Sequence, residues 1–378
     1  MQDFYILAVN PGSTSMKMGV YKNEEQLFEE SYSLDADRLA AFDKMKDQMD
    51  LRLEGIRTFL DKMPIKKEQL SAVASRCGNI VPIKPGAYLV NDLLNDRLLN
   101  RPFSQHASNL GGPLGTEIAK GLDIPCYVYD GVSVNEMQPL GYPTGFQGVI
   151  RQSRCHVLNM RAMLRKEAEQ IGRDINDFNA IVAHLGGGIT LGIFEKGRMI
   201  DLVIDTEGPL TPERSGRIPL NPLVYHCIKN KITIEQLPKL IRGKSGLAKL
   251  LCTTSVLEVE KRAKEGDKMA AFLYETMAYQ VAKAIGELAT VTSGKIDRIV
   301  LTGAIAKSPT FTKWVTDRVK FIAPVDVLPG EDELGALSRG VLRVLRGEEK
   351  AHIYTQVEDD WEETFKLEDL LDDFTPSM

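Results

Sequence analysis

The chain opens with three short runs of apolar residues that are separated by polar turns. Residues 4–9 read FYILAV, and further runs cover 17–21 and a stretch through Leu27 and Phe28. Runs of this length, bounded by Gly, Asn and Ser, are typical of β-strands joined by tight turns. The pattern predicts an antiparallel meander whose first hairpin loop, residues 10–15, is unusually rich in hydroxyl groups.

A second meander of the same design is predicted in the middle of the chain. Apolar runs cover residues 181–183, 189–194 and 199–204, and the first of them ends at residues 184–188, which read HLGGG. Two meanders of like pattern open two halves of similar length. The likeness lies in the pattern rather than in residue identity, and it indicates an internal duplication.

Helical spacing of apolar residues alternates with short strand-like runs outside the meanders. Helices are predicted at 36–62, 149–171, 268–292 and from about residue 310, and strands at 72–75, 125–129 and 298–301. This alternation is typical of an α/β fold. At roughly 150 residues per domain, a chain of 378 residues is expected to form two domains, which we place at 1–178 and 179–346.

The last segment, residues 347–378, differs in composition from the rest of the chain. Asp and Glu dominate it, and large apolar side chains are interleaved with them: Trp361, Phe365, Leu367, Leu370 and Leu371. This mixture favours an amphipathic helix over a free tail. We expect the segment to dock on the first domain.

Composition and charge narrow the classes of function. Hydrophobic residues make up 43% and charged residues 26% of the chain, which excludes a disordered or collagen-like polymer. The formal net charge of -5 argues against general binding to nucleic acid or to anionic membranes. No run approaches the ~18 apolar residues of a membrane span, and the first residues lack the basic start of a signal peptide.

The cysteines indicate a reducing compartment. They are odd in number and scattered, with no Cys-x-x-Cys pair: Cys77, Cys126, Cys155, Cys227 and Cys252. This usage is typical of incidental thiols in a cytoplasmic protein, and we expect that location.

Two glycine-containing loops after predicted strands and a third between strand and helix are candidates for binding phosphate. The first contributes Asn10, Gly12, three hydroxyls at Ser13, Thr14 and Ser15, and the charge of Lys17. Taken alone it is better explained as an ordinary polar hairpin, and it lacks the Gly-x-x-x-x-Gly-Lys pattern of a nucleotide P-loop.

The other two loops are Gly186, Gly187 and Gly188, and Thr302, Gly303 and Ala304. Three successive glycines expose N–H groups that could bind an anion, although a tight glycine hairpin explains them equally well. The third loop lies between a strand and a helix, where α/β folds usually bind nucleotides. Two matched hairpins together with such a loop favour phosphate binding more than any one of them does.

Five motifs resemble, in order, those of the acetate and butyrate kinases. They are NPGSTSMK, HLGGGITLG, EGPLTPERSG, LTGAIAKS and LPGEDELGAL, and the likeness runs from about Phe4 to about Arg346. The Asn-Pro-Gly-Ser-Thr-Ser form resembles butyrate kinase in particular. The resemblance implies two duplicated actin-like (ribonuclease H-like) domains, with mixed sheets flanked by helices and an active site in the interdomain cleft.

The resemblance also implies a role for each matching position. Asn10 would lie near the metal, and Ser13–Ser15 with Lys17 would line the phosphate channel. Arg76 would bind the substrate carboxylate, and Asp130 would act near the reacting centre. His156 and Arg214 match the histidine and arginine of the transition state, and His184 matches a second histidine beside the phosphates.

For the nucleotide and the metal the implied positions lie near the end of the second half. Thr302, Gly303, Ala304 and Ile305 resemble the adenosine-binding turn. Asp332 best matches the metal-side acid, with Glu331 and Glu333 as neighbours. The implied cofactors are ATP or ADP and Mg²⁺.

The implied reaction converts a carboxylate and ATP into an acyl phosphate and ADP. Both reactants are anions, and arginine forks are suited to pairing with carboxylate and phosphoryl oxygens. A carboxylate is already ionised at neutral pH and needs no general base, so Asp130 is better interpreted as an orienting or metal-side acid. Mg²⁺ keeps several waters and needs only one or two protein oxygens.

Other interpretations of these residues stay open at this point. Without the family pattern, Arg76 and Arg214 would be surface ion-pair members, Asp130 a turn former, and His156 and His184 buried core histidines. The alternative enzyme is an acetate or propionate kinase, and the alternative of another class is an actin-like nucleotide-dependent chaperone or filament protein. We further expect a small-molecule carboxylate substrate and a homo-oligomer, a dimer or larger.

Overall fold

This computed structural model describes residues 2–374 of the chain, apart from the side chains of residues 362 and 363. Its strands are, in chain order, β1 (Tyr5–Pro11), β2 (Ser15–Lys22), β3 (Glu25–Ser33), β4 (Ala72–Arg76), β5 (Ala87–Leu89), β6 (Cys126–Tyr129), β7 (Ala180–Leu185), β8 (Ile189–Glu195), β9 (Arg198–Val203), β10 (Arg298–Gly303), β11 (Val325–Pro329) and β12 (His352–Ile353).

The helices vary widely in length. They are α1 (Ala36–Ala40), α2 (Met49–Lys62), α3 (Asp92–Asn100), α4 (Gly111–Lys120), α5 (Val157–Gln170), α6 (Leu220–Lys229), α7 (Leu237–Ile241), α8 (Leu247–Leu250), α9 (Val256–Lys264), α10 (Lys268–Ala289), α11 (Pro309–Val319), α12 (Glu333–Leu345), α13 (Gln356–Asp359) and α14 (Trp361–Thr364). Across residues 2–374, no helix is both long enough and apolar enough to cross a membrane.

The first compact unit is built on a mixed sheet in the order β12-β5-β6-β4-β1-β2-β3. It contains the chain up to residue 135, residues 143–158 and the chain from residue 332 onwards. Strands β1, β4 and β6 run parallel, and β1–β3 form the antiparallel meander that the sequence predicts. One face packs against Ile56 and Phe59 of α2, and α12 covers the other face, where Leu334 lies against Gly19.

The second compact unit has a five-stranded sheet in the order β11-β10-β7-β8-β9. It contains residues 136–142 and 159–331. Strands β7, β10 and β11 run parallel, and β7–β9 form the second predicted meander. Helix α10 buries Tyr274 and Met277 on one face, and Met160 of α5 lies against Gly192 on the other.

The two sheets share one topology, which confirms the predicted fold class of two duplicated α/β halves. The order β3-β2-β1-β4-β6 in the first unit repeats as β9-β8-β7-β10-β11 in the second, with the same strand directions. The compact units differ from the domain bounds proposed from the sequence in three stretches. Residues 136–142 and 159–178 lie in the second unit and 332–346 in the first, since α5 and α12 each pack on those sheets.

Two of the predicted helices differ from the structure. The stretch 36–62 is interrupted at residues 41–48, where Met45–Gln48 form a 3₁₀ helix, so that only α1 and α2 are α-helical. The stretch 149–171 becomes helical only at Val157, because the preceding chain bonds sideways: Ser153 Oγ donates to the Val134 carbonyl, and the Cys155 N–H to that of Val132.

The acidic C-terminal segment does not form the single amphipathic helix that its pattern predicts. It adds β12 beside β5 and then makes the short helices α13 and α14. Closely spaced like charges disfavour a longer helix here. Tyr354 and Asp359 of this segment are buried, while Val357 and Leu371 are 81% and 63% exposed.

Candidate active site

The carboxyl ends of three neighbouring parallel strands in the first unit carry predicted site residues. Asn10 lies near the end of β1, Arg76 ends β4, and Asp130 follows β6. In open α/β sheets, ligands bind outside these strand ends. The topology therefore places the three residues along one edge of the sheet.

Glu333, the first residue of α12, joins Asn10 and Arg76 into one cluster. The Asn10 amide donates to Glu333 Oε2 at 2.5 Å, and an Arg76 guanidinium nitrogen bonds Glu333 Oε1. The side chains of Arg76 and Glu333 are only 12% and 17% exposed. The cluster is thus a largely buried arginine, acid and amide at one strand edge.

Asp332, the acid that best matches the family's metal-side position, points elsewhere. Its carboxylate caps α12 by accepting from the Gly335 N–H, and its other oxygen pairs with Arg339. The Asp332 side chain is 49% exposed. Of the three acids at 331–333, it is Glu333 that contacts Asn10.

The donor set of this cluster fits Mg²⁺. Within the described residues, no group of three or more His, Cys, Asp and Glu side chains could hold a metal ion. Magnesium, however, keeps most of its waters and prefers hard oxygen ligands, so that one or two protein oxygens suffice. The amide oxygen of Asn10 and the carboxylate of Glu333 are ligands of that kind.

The predicted phosphate loop lies at the tip of the β1–β2 hairpin. The Gly12 N–H donates to the Ser15 carbonyl at 2.7 Å, and Ser13 and Thr14 are exposed. Lys17 pairs in register with Asn10, and residues directly opposite on antiparallel strands share a face of the sheet. Hydroxyl groups, the Lys17 cation and Asn10 of the cluster thus occur within one hairpin.

Arg52 of α2, which the sequence analysis did not select, contacts this loop. Its guanidinium donates to the Gly12 carbonyl at 2.9 Å, and the side chain is fully buried. One sequence signal could have identified Arg52: it is a charged residue on the apolar stripe of α2, which includes Leu51 and Ile56.

Asp130 is buried and has a left-handed backbone, with φ of 39°. Its carboxylate accepts from the Gly86 N–H at 2.8 Å, so it closes a turn beside the strand ends. His156 is half-buried and directly precedes α5. The roles that the resemblance implies for Asp130 and His156 stay predictions.

In the second unit, His184 lies near the end of β7 and is 2% exposed. The Thr302 hydroxyl donates to the Gly330 carbonyl, so Thr302 Oγ1 can only accept from the Asn159 amide NH₂. The same NH₂ group lies 3.0 Å from His184 Nδ1, which accepts from it in this amide orientation, while Asn159 Oδ1 is buried without a hydrogen-bond partner among the described residues. This chain leaves the proton of neutral His184 on Nε2, 3.3 Å from Glu331 Oε1.

The glycine turn after β7 is fixed by the segment that carries Arg214. The Thr211 hydroxyl and the Glu213 N–H both donate to the Gly187 carbonyl. The guanidinium of Arg214 lies beside Gly188, within 3.7 Å of where a Cβ would stand. The structure thus brings together Gly186–Gly188 and Arg214, which the sequence analysis proposed as site residues.

Arg214 is held by two acids, Asp205 and Glu213, and Asp205 also pairs with Arg242. The Arg214 side chain is 23% exposed. Such pairing orients a guanidinium while leaving its remaining N–H donors available to another anion.

The predicted adenosine turn, Thr302–Ile305, begins at the end of β10. Gly303 has φ of +91°, and a Cβ there would lie 2.4 Å from the Leu185 carbonyl oxygen, so only glycine fits. Thr302 is fully buried and serves the Asn159 contact. Ala304 and Ile305 begin a short 3₁₀ helix.

The cysteines are free, and three are buried: Cys77, Cys126 and Cys155. Burial raises the pKa of the Cys77 and Cys126 thiols to about 12. Thiols that stay protonated at neutral pH are poor nucleophiles, so these two take no part in covalent catalysis.

Comparisons with known proteins agree with this architecture. The model of the Acetokinase family matches residues 142–323. The acetate kinase of Porphyromonas gingivalis superposes with a TM-score of 0.75 at 18% identity, over 90% of this chain and 100% of that one. A propionate kinase from Francisella tularensis gives 0.73 at 17% identity, over 89% and 98% of the two chains.

The acetate kinase of Entamoeba histolytica gives a TM-score of 0.71 at 16% identity, over 90% of this chain and 99% of that one. At these identities the likeness defines the fold. The chain has the actin-like fold of the acetate and propionate kinases, and the family match falls within its central part.

Proposed function

We propose that the protein is a kinase that transfers the γ-phosphoryl group of ATP to a short-chain carboxylate. A carboxylate oxygen would form the new bond to phosphorus while the bond to the β,γ-bridging oxygen breaks, giving acyl phosphate and ADP. The observation that carries the proposal is the cluster of Asn10, Arg76 and Glu333 beside a hydroxyl-rich hairpin. It combines a carboxylate-binding cation, oxygen ligands suited to Mg²⁺ and a phosphate-binding loop.

Within this proposal, Arg76 binds the substrate carboxylate. Glu333 holds the Arg76 guanidinium in a largely buried position. One nitrogen of Arg76, Nη1, makes that contact. Asn10 and Glu333 would hold Mg²⁺, which would neutralise phosphate charge when bound. We place Glu333 rather than Asp332 on the metal side, because Asp332 is turned towards Arg339.

For the transferring phosphoryl group, we propose His184 and Arg214 as hydrogen-bond donors, in the roles that the resemblance implies. His184 carries its proton on Nε2, and Arg214 lies beside the glycine turn. Donors fixed before the reaction stabilise charge on the equatorial oxygens without reorganising. Thr302–Ile305 would bind the adenosine, and Gly186–Gly188 the phosphates.

The substrate acid is proposed to be butyrate or a branched short-chain acid, on the strength of the Asn-Pro-Gly-Ser-Thr-Ser motif. Acetate and propionate are the alternatives, since the similar structures bear those names. A panel of C2 to C5 acids, assayed with MgATP and hydroxylamine to trap acyl phosphate, tests this. The highest kcat/KM should fall on a C4 or branched acid, and a maximum on acetate would contradict the butyrate assignment.

We further propose that the chain works as a homo-oligomer in the cytoplasm. Helix α6 buries none of its residues, and its apolar side chains Leu220, Tyr225 and Ile228 are 75%, 67% and 74% exposed. Apolar patches of this kind commonly mark protein interfaces. Light scattering on the purified protein should give a mass of at least twice 42.0 kDa, and a monomer would contradict the proposal.

A further inference from the structure

Arg52 is a buried cation directly behind the hydroxyl-rich hairpin. Its Nη1 donates to the Gly12 carbonyl at 2.9 Å, and its Nε and Nη2 donate to Gln48 Oε1 at 3.2 and 2.8 Å. The side chain is 0% exposed. Its contacts therefore join one helix to the loop that carries Ser13, Thr14 and Ser15.

Within residues 2–374 these contacts pair Arg52 with neutral oxygens and with no carboxylate. Burial lowers the pKa of the guanidinium to about 10, so it remains charged at neutral pH. A buried charge without a counter-ion is costly to the folded state. The cost is offset when an anion binds close enough to feel the charge in this poorly solvated region.

Close packing fixes the position of Arg52. Gly55, one turn further along α2, approaches the meander so closely that a Cβ would lie 2.6 Å from Tyr32 and 2.7 Å from Met16. Residues three apart lie on the same helix face, so Arg52 points to the same hairpin. The guanidinium thus sits on a rigid element, in contrast to a mobile surface arginine.

We propose that Arg52 is a positioning residue of an anion site at Gly12–Ser15, where it fixes the loop and attracts the phosphate groups of a polyphosphate ligand. The ligand class is a pyrophosphate chain, either free or as part of a nucleoside di- or triphosphate. This inference rests on the proposed function for the identity of the ligand. Arg52 acts through the Gly12 peptide and does not touch the phosphate itself.

A purely structural role for Arg52 has different consequences. If the guanidinium served only to tie α2 to the loop, its removal would lower stability and leave anion affinity unchanged in the folded protein. A role of the charge predicts instead that anion affinity falls in the folded protein when the charge is removed and is largely kept when lysine replaces arginine.

The test compares Arg52→Gln, Arg52→Lys and Arg57→Gln with the wild type. Glutamine keeps a hydrogen-bond donor without the charge, lysine keeps the charge, and Arg57 is an exposed arginine of the same helix. Dissociation constants for inorganic pyrophosphate and for MgADP are measured by calorimetry. Thermal midpoints are recorded with and without pyrophosphate.

We expect Arg52→Gln to weaken both ligands by about tenfold or more, Arg52→Lys by about threefold or less, and Arg57→Gln not at all. Pyrophosphate should raise the thermal midpoint of Arg52→Gln by less than it raises that of the wild type. The apparent KM for ATP should rise far more than that for the carboxylate.

Wild-type affinity for both ligands in a folded Arg52→Gln variant would overturn the inference and leave the proposed kinase function intact. If that variant does not fold, a tenfold loss in folded Arg52→Lys would overturn it instead. A wild-type protein that binds neither pyrophosphate nor MgADP at millimolar concentration would overturn both the inference and the proposed function.

Discussion

Asn159 decides which nitrogen of His184 carries the proton. Its amide is oriented by Thr302, whose own hydroxyl is used by the Gly330 carbonyl, and it therefore donates to His184 Nδ1. The neutral imidazole keeps an Nε2–H donor, so donation to a phosphoryl oxygen does not require a charged histidine. The contact depends on residues that are far apart in sequence: Asn159, His184, Thr302 and Gly330.

We predict that Asn159→Asp removes the Nε2–H donor of neutral His184. An aspartate accepts from Nδ1–H, so the neutral imidazole loses its Nε2–H and only the imidazolium still donates. Removing such a donor costs roughly 10²–10³ in kcat. The kcat of the variant should therefore fall by about that factor while the KM for ATP changes little. A variant with wild-type kcat in steady-state assays would remove Asn159 from this role.

Arg214 is predicted to act on the transferring group rather than in nucleotide binding. Arg214→Ala should lower kcat by about 10³ while the KM for ATP rises only a few-fold, since arginines in phosphoryl transfer act mainly on the transition state. Arg217→Ala is the control, because Arg217 forms an exposed ion pair with Glu287. Near-normal turnover of Arg214→Ala in steady-state assays would exclude the role.

At the level of elements, the segment after α12 stabilises the strand ends of the first unit. Glu349 accepts from the Ala87 N–H and the Tyr129 hydroxyl, and it pairs with Arg343. Tyr129 directly precedes Asp130, and Ala87 follows the Gly86 that binds the Asp130 carboxylate. One side chain from the C-terminal part of the chain thus orders the turn beside β6.

We predict that Glu349→Ala lowers the free energy of unfolding by about 2–3 kcal/mol, because it leaves a partly buried arginine and an N–H without their partner. Urea denaturation measures the loss. Glu348→Ala is the matched control, since the Glu348 side chain is 53% exposed and should cost less than ~0.5 kcal/mol. Equal stability of the two variants would contradict this account of the segment.

The elements also explain which features the sequence could predict. The strands of both meanders were predictable because continuous apolar runs end at glycine and polar turns, and the turn residues Gly12 and Gly186–Gly188 lie where expected. The stretch 149–156 has helical spacing, yet its Ser153 hydroxyl and Cys155 N–H donate to the carbonyls of Val134 and Val132, which no local pattern reveals.

The same limit applies to the site. Asn10 and Arg76 were selected by the family resemblance and lie near the carboxyl ends of β1 and β4. The choice among Glu331, Asp332 and Glu333 depends on the orientation of the chain where α12 begins, since side chains turn by about 100° per helical residue. Arg52 and Asn159 were missed because their hydrogen-bond partners, Gly12 and Thr302, are distant in sequence.

In the two duplicated halves of the molecule, equivalent positions carry side chains with different chemical properties. Asn10 near the end of β1 corresponds to His184 near the end of β7, and each is contacted by a helix on the same side of its sheet. Glu333 of α12 contacts Asn10, and Asn159 of α5 contacts His184. One half thus presents an acid, an amide and an arginine, and the other a histidine donor and a glycine turn.

The central claim is that a carboxylate is the phosphoryl acceptor, and ADP formation by the purified protein tests it most directly. Wild-type protein with MgATP is assayed with and without a short-chain acid, and acyl phosphate is measured in parallel. We predict ADP formation only when the acid is present, with one acyl phosphate formed for each ADP. An ADP rate that is the same without the acid, as a chaperone-type or filament-type ATPase would give, or no ADP in either case, would contradict the account.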